Sequence, residues 1–592
     1  MSVDSFLLTR KGWFRSLARN LVADTTTSFT GKKIVRNDLP FAQFKGKIIR
    51  QITIQELDFG TSIIDTNNTM KTRLTHLANS VHRKTRQFVI ENNLFFKKNE
   101  KLQPFLMADN ERYLRSLPYF QDAKIVAKAV PGSKDSVDVF VVTKDVIALG
   151  ISVNSLSFKQ TNLSVKEDNL RGWGDRISAS MLYDKSRFDH FGEGVDYIKR
   201  NISGSFIDLS TGFSNFYGGI NAPPQEGRAY LNLTKPLANA YMKWTYSLDL
   251  STHISKQLYD TDSLFQSDQR YKYYNVDGWV GYNTNAQGLT GEKEDQRLRG
   301  LIGARLLKQQ FEYIPTKYNF GYFWQYTDIS GVLASYSVFR QDFYKTNYIY
   351  GFGTSEDVPT GIDISVTSGY IRRETRPRPY LGFSFERYYF SNHQNYFDFI
   401  VRSDGYLHNG KLEDVNVLGN INYFSHLRTL NEKWKQRTFL SIGVAKQLNT
   451  VLNVPLLLES SDFGLPQYNN GLIGGYFRST FRGESDFFAP WSLAGFKFAP
   501  FVFYDAAYFV PAQEKFGQGN MISAIGGGVR TRNENLVFGT IELRGYYFPT
   551  RGKYTFPTTG YYNNSFKVSI TTGLRFKYTT NFIRKPDFVQ IN

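Results

Sequence analysis

From Phe566 to Tyr578 the chain alternates without a break. Phe566, Val568, Ile570, Thr572, Leu574, Phe576 and Tyr578 share one face, and Lys567, Ser569, Thr571, Gly573, Arg575 and Lys577 share the other. A period of two is the mark of a β-strand, and a run this long outlasts the usual soluble strand. Aromatic and aliphatic groups on one side with charge on the other suit a strand set between lipid and a watery lumen. The same alternation recurs at Ala229-Leu231-Leu233, Trp244-Tyr246-Leu248-Leu250 and Ile541-Leu543, with Gly, Asn, Asp and Pro turns between the runs. A soluble β-sandwich or propeller would show shorter strands and one apolar core face, whereas here Lys and Arg keep returning on the polar parity. Residues 147–592 therefore predict an antiparallel transmembrane β-barrel of about sixteen strands in a mainly β chain.

Ahead of it the periodicity changes. Lys47 to Leu57 alternates as a strand, and Lys71 to Glu91 sets Leu74, Leu77, Val81 and Phe88 near one helical face. Asn110 to Leu117 predicts a second helix ended by Pro118, and Ala123–Val130 with Val137–Val142 reads as a hairpin across Pro131-Gly132-Ser133. Residues 45–146 thus predict a small β-α-α-β-β domain. In residues 1–44, Phe6, Trp13, Phe14, Leu17 and Leu21 lie near helical spacing with Arg10, Lys11, Arg15 and Arg19 between them. That pattern predicts a short basic amphipathic helix, lying on a membrane surface or docked on the neighbouring domain.

Composition narrows the function. Mean hydropathy is −0.38 and no long apolar run occurs, which argues against membrane helices and leaves barrels untouched, because a spanning strand shows lipid only every second residue. Aromatic residues reach 16%, with 50 Phe and 38 Tyr, as strands and interfacial girdles require. Cysteine is absent, so disulfides, thiolate nucleophiles and cysteine metal sites go together. His76, His82, His190, His253, His393, His408 and His426 are scattered without metal-ligand spacing. Glu167-Asp168 reads as turn residues and Gly526-Gly527-Gly528 as a close approach or bend in a strand, so no catalytic residues, metal or cofactor are expected. The net charge of +19 is spread rather than clustered, which suits lumen lining and anionic lipid headgroups and not nucleic acid. Phe6-Leu7-Leu8 is cut off by Thr9-Arg10-Lys11, too short for the apolar core of a signal peptide, so an outer-membrane placement expects a missing or unusual leader.

The run Tyr113-Leu114-Arg115-Ser116-Leu117-Pro118-Tyr119-Phe120-Gln121-Asp122-Ala123 resembles the signature of a POTRA domain at its second helix and following strand. Val165-Lys166-Glu167-Asp168-Asn169-Leu170-Arg171-Gly172-Trp173-Gly174-Asp175 is similar to the turn after a first barrel strand. With one β-α-α-β-β unit before a barrel, the chain resembles the POTRA-plus-barrel superfamily of outer-membrane assembly and two-partner secretion proteins, the BamA-like proteins. The resemblance implies a seam between first and last strands, here Leu163, Val165 and Glu167 against Phe566, Val568, Ile570, Leu574 and Phe576, where a client strand would enter. It implies partner binding by the POTRA domain through sheet-edge addition, near Leu114, Leu117, Tyr119 and Phe120. It also implies a lumenal loop motif, Val/Ile-Arg-Gly-Phe/Tyr, matched here by Ile473-Gly474-Gly475-Tyr476 with Gly474 where the arginine belongs. The family's arginine pairs with an aspartate in Phe-x-Asp-x-Gly, approximated by Phe503-Tyr504-Asp505-Ala506-Ala507. Arg478, with Arg482 nearby, is expected to pair with Asp505 in its place, the alternative being that both groups face water independently.

The implied function is an outer-membrane assembly or translocation factor, including an accessory or divergent subunit of a larger machine. Its partners would be membrane lipids, unfolded or partner outer-membrane proteins and other subunits. A passive pore, a structural barrel or a dedicated secretion channel is the alternative. The implied place is a Gram-negative outer membrane with the POTRA domain periplasmic, or else a plastid or mitochondrial outer membrane.

Overall fold

The computed structural model describes residues 35–57, 83–156, 159–185, 187–218, 226–239, 241–257, 261–284, 286, 298–431, 433–460, 463–468, 474–493, 495–533, 540–549, 566–571 and 585–591. Their strands form a 23-stranded sheet and a 3-stranded sheet.

In the large sheet successive strands pair antiparallel from Leu149–Leu156 round to Phe566–Thr571, an up-and-down order that suits a barrel. Val35–Arg36 merely adds to the end of Ile329–Thr346, and Arg428–Leu430 and Ser492–Leu493 continue the strands Lys411–Phe424 and Gly475–Phe488 beyond an interruption. Setting those three aside leaves twenty staves among the described residues, more than the expected sixteen. The shortfall lies in hidden turns. Glu356–Arg373 and Arg376–Phe390 are joined at Glu374-Thr375 without glycine or proline, Glu374 itself taking φ 54°.

Alternation decides what each stave faces. On Ile329–Thr346, Val332, Ala334 and Tyr336 point outward and are exposed, whereas Leu333, Ser335, Ser337 and Phe339 point inward and are buried. Round the ring the outward set includes Val195, Leu231, Val280, Val366, Ile442 and Leu543, an apolar belt far larger than a water-soluble monomer exposes. Only lipid suits that belt, and the chain is a membrane-spanning barrel. Arg378, Arg478, Asp414 and Asp505, each at most 1% exposed, lie on the inside. No helix among the described residues is long and apolar enough to cross a membrane.

In the small sheet, Ser136–Asp145 is central, parallel to Ile48–Leu57 and antiparallel to Phe120–Ala129. The helices Gln87–Asn92 and Pro104–Ser116 lie between in sequence, giving the order β-α-α-β-β. Proline opens the second helix where its missing N–H costs nothing. Ile49, Ile90, Leu102, Met107, Leu114, Val137, Val139 and Val141 form the core. Most of the helix expected over Lys71–Glu91 lies outside the described residues. Its described end differs, because Arg86 is extended, helix starts only at Gln87, and Phe88 is exposed while Val89 and Ile90 are buried. Phe6, Trp13, Phe14, Leu17 and Leu21 also lie outside the described residues. Residues 39–44 form a 3-10 turn that buries Phe41 and Phe44 in the domain core.

Candidate functional site: the occupied lumen

Among the described residues two segments pack against the inner wall. The first comes from 451–460 and 463–468, between Trp434–Leu448 and Gly475–Phe488. The Asp414 carboxylate, gripped by Arg378 at 2.7 Å, accepts the N–H groups of Val451 and Leu452 at 2.5 and 3.0 Å. Gln447 donates to the Val454 carbonyl and accepts from the Leu456 N–H. Further along, Leu458, Leu465 and Tyr468 pack against Phe501, Phe503, Phe509, Ile522 and Phe548 of the wall, and the Tyr468 hydroxyl donates to the Ser523 carbonyl. Polar backbone inside a barrel is tolerable where side chains meet its hydrogen-bonding groups, as they do here at Val451, Leu452, Val454 and Leu456.

The second segment is Lys585–Ile591. Lys585 pairs with Asp277, Asp587 with Arg305 at 2.6 Å, and the Val589 N–H donates to the Tyr380 hydroxyl at 2.9 Å. Ile591 packs among Ile400, Leu418, Ala445, Leu456 and Phe463. Leu456 and Phe463 belong to the loop, and the remaining partners sit on staves running from Lys272–Asn283 to Trp434–Leu448. Arg478 joins the two segments, donating to the Leu457 carbonyl of the loop and, at 2.6 Å, to the Ile591 carbonyl.

The expected pairing of Arg478 with Asp505 is therefore corrected. Arg478 lies opposite Phe509, and its guanidinium is used on those two carbonyls. Asp505 takes the Gln467 side-chain amide at 2.9 Å, and Arg482 is its register partner across the strand pair. Of the loop motif, Ile473 lies outside the described residues, Gly474 ends the loop, and Gly475 and Tyr476 begin the strand. Gly474 faces Pro455 so closely that a Cβ would sit 2.4 Å from the proline Cβ. Arginine there does not fit this loop path. Gly474→Arg is expected to destabilise the barrel by about 1–3 kcal/mol through overpacking, where a silent vacancy would be neutral or gain. Urea unfolding in detergent distinguishes these outcomes.

A buried charge network escaped the sequence reading. Arg530 donates to Glu484, Asp486 and Glu542 at 2.6, 2.5 and 2.7 Å, and Arg544 to Glu484 and Glu542 at 2.7 and 2.6 Å. Both guanidinium groups lie over the Phe501 ring. The spacing of Glu484 from Asp486 and of Glu542 from Arg544 places each pair on one inward face, but the register that brings the strands together is not local. The Gly526–Gly528 run is a close approach, since a Cβ on Gly526 would meet the Gly545 carbonyl at 2.0 Å.

The first strand also moves. Phe566, Val568 and Ile570 lie on the last described strand, in register with Tyr547, Gly545 and Leu543. The sheet's first strand is Leu149–Leu156. Leu163, Val165 and Glu167 stand one stave further on, opposite Val153, Ile151 and Leu149. Leu149, Ile151 and Val153 alternate only with Gly150, Ser152 and Asn154, too faint a polar face to mark the true first strand. Leu574 and Phe576 lie outside the described residues.

The small domain sits against one end of the barrel. Its Arg86 N–H donates to the Gly172 carbonyl, and Thr85 accepts from Asn169 at 2.9 Å. Arg115 donates to Asp357 of the barrel through Nε and Nη2 at 2.9 and 2.7 Å, and Glu111 pairs with Lys345. Leu114, Leu117, Tyr119 and Phe120 are all core residues of this domain, at most 9% exposed, which corrects their expected role as a partner surface. On the edge strand Phe120–Ala129, the Ile125 N–H is taken by Glu111 and the Ala123 carbonyl by Arg115.

Burial pushes the Glu111 carboxyl up, but Arg115 and Lys345 together outweigh it and hold the group below its ordinary value of 4.5. A lowered folded value stabilises the docked state above the unfolded value and is lost as pH falls through the folded one. Desolvation holds nearby Asp122 above its ordinary value, an effect of opposite sign. Below pH 4.5 the docked domain is thus expected to loosen, read as faster hydrogen exchange at Arg86. Glu111→Gln should flatten that dependence. An unchanged profile in the variant would assign the loosening to another group.

Among the described residues no group of three or more His, Asp or Glu side chains could hold a metal ion. No family model matches the sequence, and no curated protein matches it. Solved structures do resemble it. BamA from Haemophilus ducreyi lacking POTRA domains 1–3 aligns at 11% identity and a TM-score of 0.28, covering 86% of this chain and 82% of that one. CdiB from Acinetobacter baumannii aligns at 12% and 0.35, over 91% and 77% of the two chains, and CdiB from Escherichia coli at 10% and 0.37, over 92% and 91%.

Proposed function

We propose that this barrel is an assembly or translocation factor of a Gram-negative outer membrane, with residues 45–146 a single POTRA-type domain on the periplasmic side. The observation that carries the reading is the small β-α-α-β-β domain fastened to the barrel end by Arg115 and Asp357, beside an inner wall with protein packed against it. A barrel for passive solute flow needs an aqueous path, and here the loop and the segment 585–591 pack against the inner wall beside it. A barrel that works through its wall and its docked domain does not. Unfolded or partner outer-membrane proteins would meet the domain by strand addition, lipids would meet the apolar belt, and other subunits would complete the machine. The lumenal peptide favours a second reading, a dedicated secretion channel whose interior receives extended polypeptide.

Quantitative outer-membrane proteomics after depletion separates the two. A broad fall in β-barrel proteins supports assembly, loss of one or two exported substrates supports a dedicated channel, and an unchanged membrane overturns both.

A further inference from the structure

Lys585–Ile591 is gripped in a way that reads its sequence. Asp277 and Arg305 pair with each other at 2.8 Å, and the strap extends that pair at both ends: Lys585 adds to Asp277, and Asp587 to Arg305, which also takes the Pro586 carbonyl at 3.1 Å. Tyr380 presents its ring edge-on to Phe588 at 5.3 Å, and the apolar socket receives Ile591. Arg402 and Arg478 hold the carbonyls of Gln590 and Ile591. The segment makes no ladder with any stave, so its departure breaks no hydrogen bond between staves.

We propose that the inner wall carries a sequence-selective groove for an extended peptide of the pattern basic, acidic, aromatic, aliphatic. In the resting barrel it is filled in cis by residues 585–591, and vacating it opens the lumen. The inference concerns the barrel interior alone and stands or falls apart from the assembly role. A strap bound by side chains across staves as distant as Asp277 and Arg478 closes the interior without joining the wall, which makes it exchangeable with a second peptide of like chemistry.

The test compares the full chain with a variant lacking 585–592, both refolded into lipid bilayers. The probe is a fluorescein-labelled peptide Lys-Pro-Asp-Phe-Val-Gln-Ile-Asn. The deletion variant should conduct more, bind the peptide at least tenfold more tightly than the full chain, and lose conductance when it is added. A peptide with lysine in place of the aspartate should do neither. A folded deletion variant that binds neither peptide, or both alike, overturns the proposal.

Should the deletion variant fail to fold, the full chain carries the test. Arg305→Cys with Asp587→Cys introduces the sole cysteines in a chain that has none. A short thiol-bridging reagent would pin the strap, and conductance should fall on bridging and return on reduction. Conductance indifferent to the bridge overturns the proposal.

Discussion

Arg530→Met is expected to destabilise the barrel by about 3–5 kcal/mol, because it strands Glu484, Asp486 and Glu542 without their shared cation. All three carboxylates are at most 6% exposed. Charges so placed have lost most of their hydration and depend on the guanidinium for it, and Arg544 reaches only Glu484 and Glu542. Asp486 therefore suffers most. Adding Glu484→Gln and Asp486→Asn to the Arg530 variant should recover most of the loss, since neutral amides tolerate the apolar thioether beside them. Urea titration read by gel mobility of unheated samples reports both effects. A cost under about 1 kcal/mol would mean that water screens the cluster as it screens a surface pair.

The second large effect is outside. Val366→Arg, midway along Glu356–Arg373 on the outward parity, is expected to cost about 2–4 kcal/mol, the penalty of a cation at the bilayer midplane. Tyr370→Arg, nearer the strand end on the same face, should cost about 0–1 kcal/mol plus the loss of the ring's own contacts, because the side chain reaches the headgroups. The gradient is the diagnostic. Equal small costs at both positions would place this face in water and refute the membrane orientation of the barrel.

The barrel was legible because its signal is local. Period-two alternation at Trp244–Leu250 or Ile541–Leu543 needs no knowledge of neighbouring strands, and the β-α-α-β-β order rests on equally local changes of period. What was not legible depends on register or on distance. Glu484 and Arg544 announce an inward face but not each other. The segment 585–591 has no periodicity, and its binding site is assembled from residues scattered over the preceding half of the chain. Leu114, Leu117, Tyr119 and Phe120 show the converse difficulty. Apolar residues in a recognisable motif were assigned to a partner, and they fill the domain's own core, the commoner fate of such side chains. Gly474 stands where the resembled family carries arginine, yet the loop packs so tightly there that the glycine is a fitted part.

The ion pair between Arg305 and Asp587 spans 282 residues. Contacts of such separation form late, after the closure entropy of the intervening chain has been met. The strap has no site until the staves from Lys272–Asn283 to Gly475–Phe488 stand side by side, so its seating records that this part of the wall has been built in the right order. An incompletely paired sheet would leave 585–591 unanchored, so a seated strap goes with a finished wall over these staves.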